Sequence, residues 1–291
     1  MKYKIGIIIS CYNEQKNVKI IYERLIDSLK NSKKAKDYKI YFIEDNSKDN
    51  TKKNIKKLMK KNNKIELISF IKRTGKSIGL QVGFNRIDKN IDLVFMMDAD
   101  LQDDPKEIDK FIEKIEEGYD LVSGYKKNRK DNLEKRLPSK IYNKVLNIFF
   151  NMNLHDHNCG FKCFKRNVIN DIKIYDNLHR FLTVFIKYKG YKVGEIEVNH
   201  HKRIYGKSKY GITRYFIAFK DLIKVKYIVS HQKKHMFLLD FFIIVFLAIG
   251  FKLLFNNILM SIILLIIYLL LLMSYIKYTN FDIKEYEKYY K

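Results

Sequence analysis

Short apolar runs recur along the first half of the chain, at Lys4–Ile9, Tyr38–Ile43, Ile65–Phe70, Leu93–Met97 and Tyr119–Ser123. Each has the length of a buried strand and is bounded by polar residues. Between them apolar residues return at helical spacing, as at Val18, Ile21, Leu25 and Leu29. Strand and helix in alternation predict an α/β fold with a mostly parallel sheet flanked by helices. In such sheets ligands bind beyond the carboxyl ends of the strands.

The pattern changes near residue 235. Met236 to Phe255 carries only Asp240 and Lys252 as charges, and Ile258 to Ile276 carries none. Each run is long enough to cross a hydrocarbon core of about 30 Å at ~1.5 Å per residue. Only Asn256 and Asn257 separate them, which predicts a two-helix transmembrane hairpin. Lys233 and Lys234 precede the hairpin, and Lys277, Lys284, Lys288 and Lys291 follow it. Basic flanks with an uncharged turn put both termini on the cytoplasmic side. Before the hairpin, Ile212, Tyr215, Phe216, Phe219, Leu222, Ile223 and Ile228 alternate with Arg214, Lys220, Asp221 and Lys224. That spacing fits an amphipathic helix, either lying on an anionic leaflet or packed on a soluble domain.

The chain has 291 residues and a formal net charge of +25, yet 47% of it is hydrophobic, which excludes a disordered chain. A general bias toward Lys, Ile and Asn is the plain reading of the charge. The basic residues are dispersed rather than gathered in one stripe, which argues against a nucleic-acid partner. An anionic membrane surface and anionic substrates remain as partners. The three cysteines, Cys11, Cys159 and Cys163, form no disulfide framework and suit a reducing compartment.

Against the basic trend, acids gather where strands end. The first strand runs into Ser10-Cys11-Tyr12-Asn13-Glu14, the second into Glu44-Asp45-Asn46-Ser47-Lys48-Asp49, and the fourth into Asp98-Ala99-Asp100-Leu101-Gln102. Converging carboxylates need a positive charge among them. Asp98, Asp100 and Gln102 offer only hard oxygen ligands, which favours Mg²⁺ or Mn²⁺ over zinc. Mg²⁺ completes its shell with water and substrate phosphates, so a diphosphate-bearing substrate follows. Lys72-Arg73-Thr74-Gly75-Lys76 at a helix start suits phosphate binding or a solvated basic turn. Ser47 and Asp49 have a second reading as turn and helix cap, and Asp103, Asp104 and Pro105 read as the start of a helix.

Taken in order, these segments resemble the family 2 glycosyltransferases of GT-A fold, and within it the polyprenyl-phosphate sugar transferases of the dolichol-phosphate mannose synthase and bactoprenol glucosyltransferase type. The likeness is carried by Tyr12-Asn13-Glu14, by Glu44 to Thr51, and by Asp98 to Gln102. It continues through Asp156-His157-Asn158-Cys159-Gly160-Phe161-Lys162, His179-Arg180-Phe181-Leu182, and Arg203 with Gly206-Lys207-Ser208-Lys209-Tyr210. The ordered set spans roughly residues 4–230 and is far more specific than any one motif. Glu44 replaces a usual Asp, Lys72-Arg73 replaces a usual Arg-Asn, and Lys126 and Lys135 replace arginines. The chain has no Trp, which sets it apart from the processive synthases of this fold.

The resemblance implies an inverting, metal-dependent hexosyltransferase with a UDP- or GDP-sugar donor and a polyprenyl phosphate acceptor. Tyr12, Glu14, Asp45, Ser47, Gly75, Lys76 and Asp98 would hold the nucleotide sugar. Asp98, Asp100 and Gln102 would hold Mg²⁺ or Mn²⁺. Lys126, Arg129, Lys135, Ser139, Arg203 and Lys209 would hold the acceptor phosphate. Asp100 and Asp156 would be the catalytic carboxylates, Asp156 as base or as orienter. The implied layout is a cytosolic catalytic domain at 1–210, a juxtamembrane helix at 211–235, two transmembrane helices at 236–277 and a cytoplasmic tail at 278–291, in a protein of the cytoplasmic membrane. A lipid hydroxyl acceptor and a non-catalytic membrane scaffold are the alternatives. The sugar, the nucleotide and the oligomeric state, a homo-oligomer included, stay open.

Overall fold

The computed structural model describes residues 2–126, 133–174, 176–201, 203–205, 213–230 and 258–279, together with Val245 and Ile249. The chain divides into two compact units, one built on Met1–Lys209 and one on Tyr210–Asp282.

The first unit is a seven-stranded sheet covered by helices. Strands β1 (Tyr3–Cys11), β2 (Ala35–Glu44), β3 (Ile65–Ser69), β4 (Leu93–Asp98), β5 (Leu121–Tyr125), β6 (Lys162–Lys165) and β7 (Val193–Glu197) lie in the order β3-β2-β1-β4-β6-β5-β7. All neighbours are parallel except β6, which runs antiparallel to β4 and β5. The mostly parallel α/β sheet expected from the sequence is therefore present. Strand β1 lies inside the sheet between β2 and β4, and Ile5, Ile7, Ile8 and Ile9 are all fully buried. That is why it reads as a continuous apolar run rather than an alternating one.

Helix α1 (Val18–Asn31) buries Val18, Ile21, Leu25 and Leu29, the residues that mark its spacing in the sequence. Helices α2 (Thr51–Met59) and α3 (Lys76–Arg86) follow β2 and β3, and α4 (Ile108–Glu116) buries Ile108, Phe111, Ile112 and Ile115. On α4, Phe111 meets Phe161 with ring centroids 4.4 Å apart, fixing the segment before β6 against the sheet. Helices α5 (Leu133–Phe150), α6 (Arg166–Asn170) and α7 (Leu182–Tyr188) complete the unit.

Strand order winds outward from β1 to β3 and then returns to β4 on the other side. The reversal falls between β1 and β4, where Ser10 and Asp98 are register partners. Outside such a switch point the loops splay apart and leave a crevice. Asp98 is thus the last residue of the strand that borders it.

In the second unit, α8 (Thr213–Ser230) covers the segment read as amphipathic, and α9 (Ile258–Thr279) covers the second predicted span. Helix α9 exposes Leu259, Ile262, Ile263, Leu265, Ile266, Ile267, Leu269, Leu270 and Met273. Its side chains are described without a break only over 262–273, and on the described residues alone no helix is long and apolar enough to cross a membrane. The first predicted span, 236–255, lies outside the described residues apart from Val245 and Ile249.

Candidate active site

Three left-handed residues shape the loops at the carboxyl edge: Asn13 (φ 53°), Asn46 (φ 55°) and Leu101 (φ 64°). Asn tolerates this conformation, but Leu does so at a cost of roughly 1–2 kcal/mol. Leu101 is fully buried, and its turn sets Asp100 and Gln102 side by side, with the Gln102 N–H donating to Asp100 Oδ1 at 3.2 Å.

Each acid after β4 meets a cation from another element. Lys76, the first residue of α3, donates to Asp98 Oδ1 at 2.6 Å. Arg203 donates to Asp100 Oδ2. Lys126, just past β5, lies 3.6 Å from Asp103 Oδ1. Burial alone would raise the Asp98 carboxyl, but Lys76 and the more distant Lys126 outweigh it, and Asp98 is held below the usual carboxylate range. Asp103 moves the other way: burial and the nearby Asp98 and Asp100 push it up against the pull of Lys126. The Lys126 ammonium, despite its burial, is held above its ordinary value by Asp103, Cys159, Asp156 and Asp100.

Gly160 closes the floor under Asp98. A Cβ there would lie 2.8 Å from Asp98 Oδ2 and 3.6 Å from Asp103 Oδ2. His179, from the His-Arg-Phe-Leu block, receives or donates a bond at Ser77 Oγ through Nδ1 at 2.8 Å. Burial first, and Lys76 and Arg180 next, hold His179 well below its ordinary value, so it is neutral. The Gln102 amide donates to His200 Nε2 at 3.1 Å, tying the metal-ligand candidate to the segment that carries Arg203.

The β1 and β2 loops are stitched to each other. The Asn13 N–H donates to Ser47 Oγ at 3.0 Å, and the Gln15 N–H donates to Asp49 Oδ2 at 3.1 Å. Ser47 and Asp49 thus serve the turn, and Asp49 also accepts the Thr51 N–H at 2.9 Å where α2 begins. Glu14 is buried and accepts from the Asn17 amide at 2.5 Å. Asp45 accepts from the N–H groups of Thr74 (2.7 Å) and Gly75 (3.0 Å), so backbone donors of the basic loop are engaged within the protein. Arg73 stacks its guanidinium 4.2 Å from the centroid of the Tyr12 ring. That contact ties Arg73 to the loop after β1, where the sequence alone gives no partner for it.

Asp156 is buried and accepts the Asn158 N–H at 2.9 Å. Behind it, the fully buried Lys162 donates to Ser123 Oγ at 2.6 Å and to the His157 carbonyl at 3.1 Å. His157 bonds Thr183 through Nδ1 and Asn147 through Nε2, both at 2.9 Å, and burial pushes it down to about 3. Cys159, near Lys126, is pushed up by burial to about 12 and is a neutral thiol. In the sequence Lys162 stands only as the last residue of the Asp156–Lys162 motif, with no role assigned to it; an isolated lysine in an apolar stretch, Phe161-Lys162-Cys163-Phe164, is the signal that points to it.

The expected site residues therefore fall into groups. Asp98, Asp100, Gln102, Lys76, Lys126 and Arg203 come together at the switch point. Tyr12, Glu14, Asp45, Ser47 and Gly75 form the neighbouring loops. Ser139 lies on α5, half-buried. Arg129, Lys209 and the side chain of Lys135 lie outside the described residues. Asp104 accepts the Lys106 N–H at 3.1 Å and starts the next helical turn, as its sequence position suggests. Asp103 does not: it is buried among the acids, because the antiparallel bridge from Asp103 to His200 turns its side chain away from the helix start.

The family described as Glycosyl transferase family 2 matches residues 6–173. Among curated proteins, the dodecaprenyl-phosphate galacturonate synthase of Rhizobium johnstonii is 26% identical over 236 residues, covering 79% of this chain and 69% of that one. The undecaprenyl-phosphate 4-deoxy-4-formamido-L-arabinose transferase of Proteus mirabilis is 28% identical, covering 76% of this chain and 67% of that one. The chain thus spans about two thirds of the length of these relatives. Among solved structures, mannosyl-3-phosphoglycerate synthase from Rubrobacter xylanophilus superposes with a TM-score of 0.61 at 12% identity, covering 80% of this chain and 76% of that one. The mannosyltransferase PcManGT from Pyrobaculum calidifontis, in complex with GDP-Man and Mn²⁺, gives 0.55 at 14% identity, covering 80% of this chain and 65% of that one.

Proposed function

This chain belongs to glycosyl transferase family 2, and we propose that it moves a sugar from a nucleotide diphosphate sugar to a polyprenyl phosphate at a membrane surface. The observation that carries this is the carboxylate–cation cluster of Asp98, Asp100, Lys76 and Arg203 at the switch point of a family 2 sheet. The acceptors printed in the names of the two curated relatives, dodecaprenyl and undecaprenyl phosphate, support the lipid acceptor.

In the reaction, a phosphate oxygen of the lipid bonds to the anomeric carbon as the bond from that carbon to the diphosphate breaks. Attack from the far side inverts the centre, and a nucleoside diphosphate leaves. A lipid phosphate has a second pKa of about 6 and is largely dianionic at neutral pH, so no strong base is required. Asp156, bonded to the Asn158 N–H, then serves as an orienter.

Two carboxylates and an amide oxygen fit Mg²⁺ or Mn²⁺, which use one or two carboxylates and complete their shell from phosphates and water. Among the described residues no group of three or more His, Cys, Asp or Glu side chains is arranged to hold an ion, so Asp98, Asp100 and Gln102 would share it with the donor diphosphate. The ion would supply neutralisation of the leaving group. Lys76 and Arg203 now neutralise those carboxylates; relieved of them, they would face phosphate oxygens instead. Tyr12 with Arg73 above it offers a flat edge for a nucleobase. The exposed apolar side chains of α9 support the membrane hairpin at 236–277, with the catalytic unit, the helix at 211–235, the tail at 278–291 and both termini on the cytoplasmic side.

The test is transfer of radiolabelled sugar from a panel of UDP- and GDP-sugars to undecaprenyl phosphate in purified membranes with Mn²⁺ or Mg²⁺, beside Asp100→Ala. An organic-soluble product that needs metal and is lost in Asp100→Ala is the expected result. Metal-dependent donor hydrolysis without lipid product would move the acceptor to a hydroxyl. Neither activity in folded protein would leave only the scaffold reading.

A further inference from the structure

Asp103 is the acid whose place the sequence does not convey. It is 2% exposed, and its Oδ1 has no hydrogen-bond partner among the described residues. The nearest cation to that oxygen is Lys126 Nζ at 3.6 Å, on a side chain only 13% exposed. A buried carboxylate short of partners is costly, and so is a buried ammonium. Each is tolerable here because the other stands beside it. At 3.6 Å the pair is held by charge and stops short of a hydrogen bond, so it does not consume the N–H groups of Lys126.

Several segments are fixed to one another at this point. Asp103 follows the Asp98–Gln102 turn, and Lys126 follows β5. The backbone bridge from Asp103 to His200, with the His201 N–H donating to the Gln102 carbonyl at 2.9 Å, anchors the stretch that leads to Arg203. A lysine is a point charge on a flexible four-carbon stem, whereas the planar fork of an arginine carries its own direction. Where a lysine must present its ammonium in one direction, a fixed counter-charge has to supply the aim.

We propose that Asp103 is the positioning residue for Lys126, aiming its ammonium at the phosphate of the lipid acceptor, so that the pair sets acceptor affinity without entering donor binding. This rests on the reading above, in which the acceptor is a phosphate and Lys126 one of its cations. The pair favours an acceptor that carries charge over a neutral hydroxyl.

The experiment uses the full chain in membranes, with undecaprenyl phosphate and the nucleotide sugar that the wild type accepts. Asp103→Asn, Lys126→Met and the double variant are compared by KM for each substrate. Asp103→Asn is expected to raise the acceptor KM about tenfold, the scale of one charge-assisted contact, with donor KM and metal activation within about twofold. The double variant should be no worse than Lys126→Met alone, because the two residues act as one unit. Lys126→Arg in the Asp103→Asn background should recover acceptor KM, since the fork needs no aim. A matching rise in donor KM or in metal requirement would place Asp103 in the donor set and overturn the proposal, as would additive losses or an unchanged acceptor KM. Where Asp103→Asn melts early, Asp103→Glu reads the same split with the charge retained and its position moved. A wild type that transfers to no polyprenyl phosphate sinks the functional reading and this inference together; a wild type that transfers, with variants off this pattern, sinks the inference alone.

Discussion

Gly160→Ala isolates the geometry of the acidic cluster from its chemistry. The new Cβ would stand 2.8 Å from Asp98 Oδ2 and 3.3 Å from Asp98 Cγ, where ordinary contact begins at 3.4 Å. Asp98 must therefore give by about 0.6 Å, and it cannot do so freely, because Lys76 grips its other oxygen at 2.6 Å. A misplacement of about 1 Å in a reacting constellation costs on the order of 100-fold, so roughly 0.6 Å corresponds to a loss of about tenfold or somewhat more in kcat/KM. Stability should move little. Gly160 is not among the glycines in the left-handed region, so alanine is conformationally acceptable there. The loss of chain freedom in the unfolded state favours the variant by about 0.4–1 kcal/mol, which offsets the low end of the about 1–3 kcal/mol that crowding costs. The assays are sugar transfer at saturating acceptor and a thermal melt of the same preparation. The reasoning predicts a variant that melts like the wild type and transfers poorly. Transfer within twofold of wild type would show that Asp98 is not held where its position matters. A melt that falls in step with activity would show that Gly160 serves the fold instead.

Three further outcomes follow from buried groups. Burial, with Lys162 adding to it, holds His157 at about 3 against 6.5 unfolded, so the unfolded chain takes up a proton first as pH falls. Its contribution to stability is whole above pH 6.5 and lost toward pH 3, on the order of 5 kcal/mol in all; acid melts of His157→Gln should lose that slope. Lys162 is likewise lowered by burial, so below 10.5 the unfolded state binds more protons and stability rises with pH between the lowered value and 10.5. Lys162→Met should remove that alkaline rise in denaturant titrations, and an unchanged rise would assign it elsewhere. Asp45→Ala strips the acceptor from the Thr74 and Gly75 N–H groups and should cost about 1–3 kcal/mol, with faster amide exchange at those two positions; protection equal to wild type would refute the tie.

Much of the sheet is legible because β1 to β5 carry apolar runs, continuously buried through most of β1, β4 and the second half of β2, a signal that survives without any knowledge of neighbours. Strands β6 and β7 are not. The four residues Lys162–Lys165 carry a lysine at each end, and Val193–Glu197 alternates with Gly and Glu as an edge strand does. Both are strands because of what they pair with, not because of their composition. The site shows the same division. Asp98, Asp100 and Gln102 were visible because they directly follow a strand. Asp-Asp-Pro is a helix-start pattern that both aspartates fit, and only the bridge from Asp103 to His200 and the bond from the Lys106 N–H to Asp104 reveal which of the two is the cap. The resemblance assigns Lys76 to the nucleotide sugar and Lys126 and Arg203 to the acceptor phosphate, one by one. That each would stand against a different acid is a property of the tertiary arrangement, and no spacing in the sequence encodes it.

That arrangement also answers how a chain of net charge +25 keeps three carboxylates within one turn of backbone. Placed together without counter-charges they would repel, and burial would protonate them. Instead α3 supplies Lys76, the end of β5 supplies Lys126, and the segment after β7 supplies Arg203. The three cations come from segments far apart in sequence, so their convergence depends on the sheet being formed and in turn favours it. Each of these three acids thus has a cation beside it, and the cluster stands where the sheet reverses its winding. On the proposed function a dianionic lipid phosphate and a nucleoside diphosphate would both need cations there, and among the described residues Lys76, Lys126 and Arg203 stand against its acids. On that same proposal, the side chains that neutralise the acids are also the ones that would meet the substrate phosphates, which would make selectivity for phosphate-bearing substrates a consequence of the same pairing.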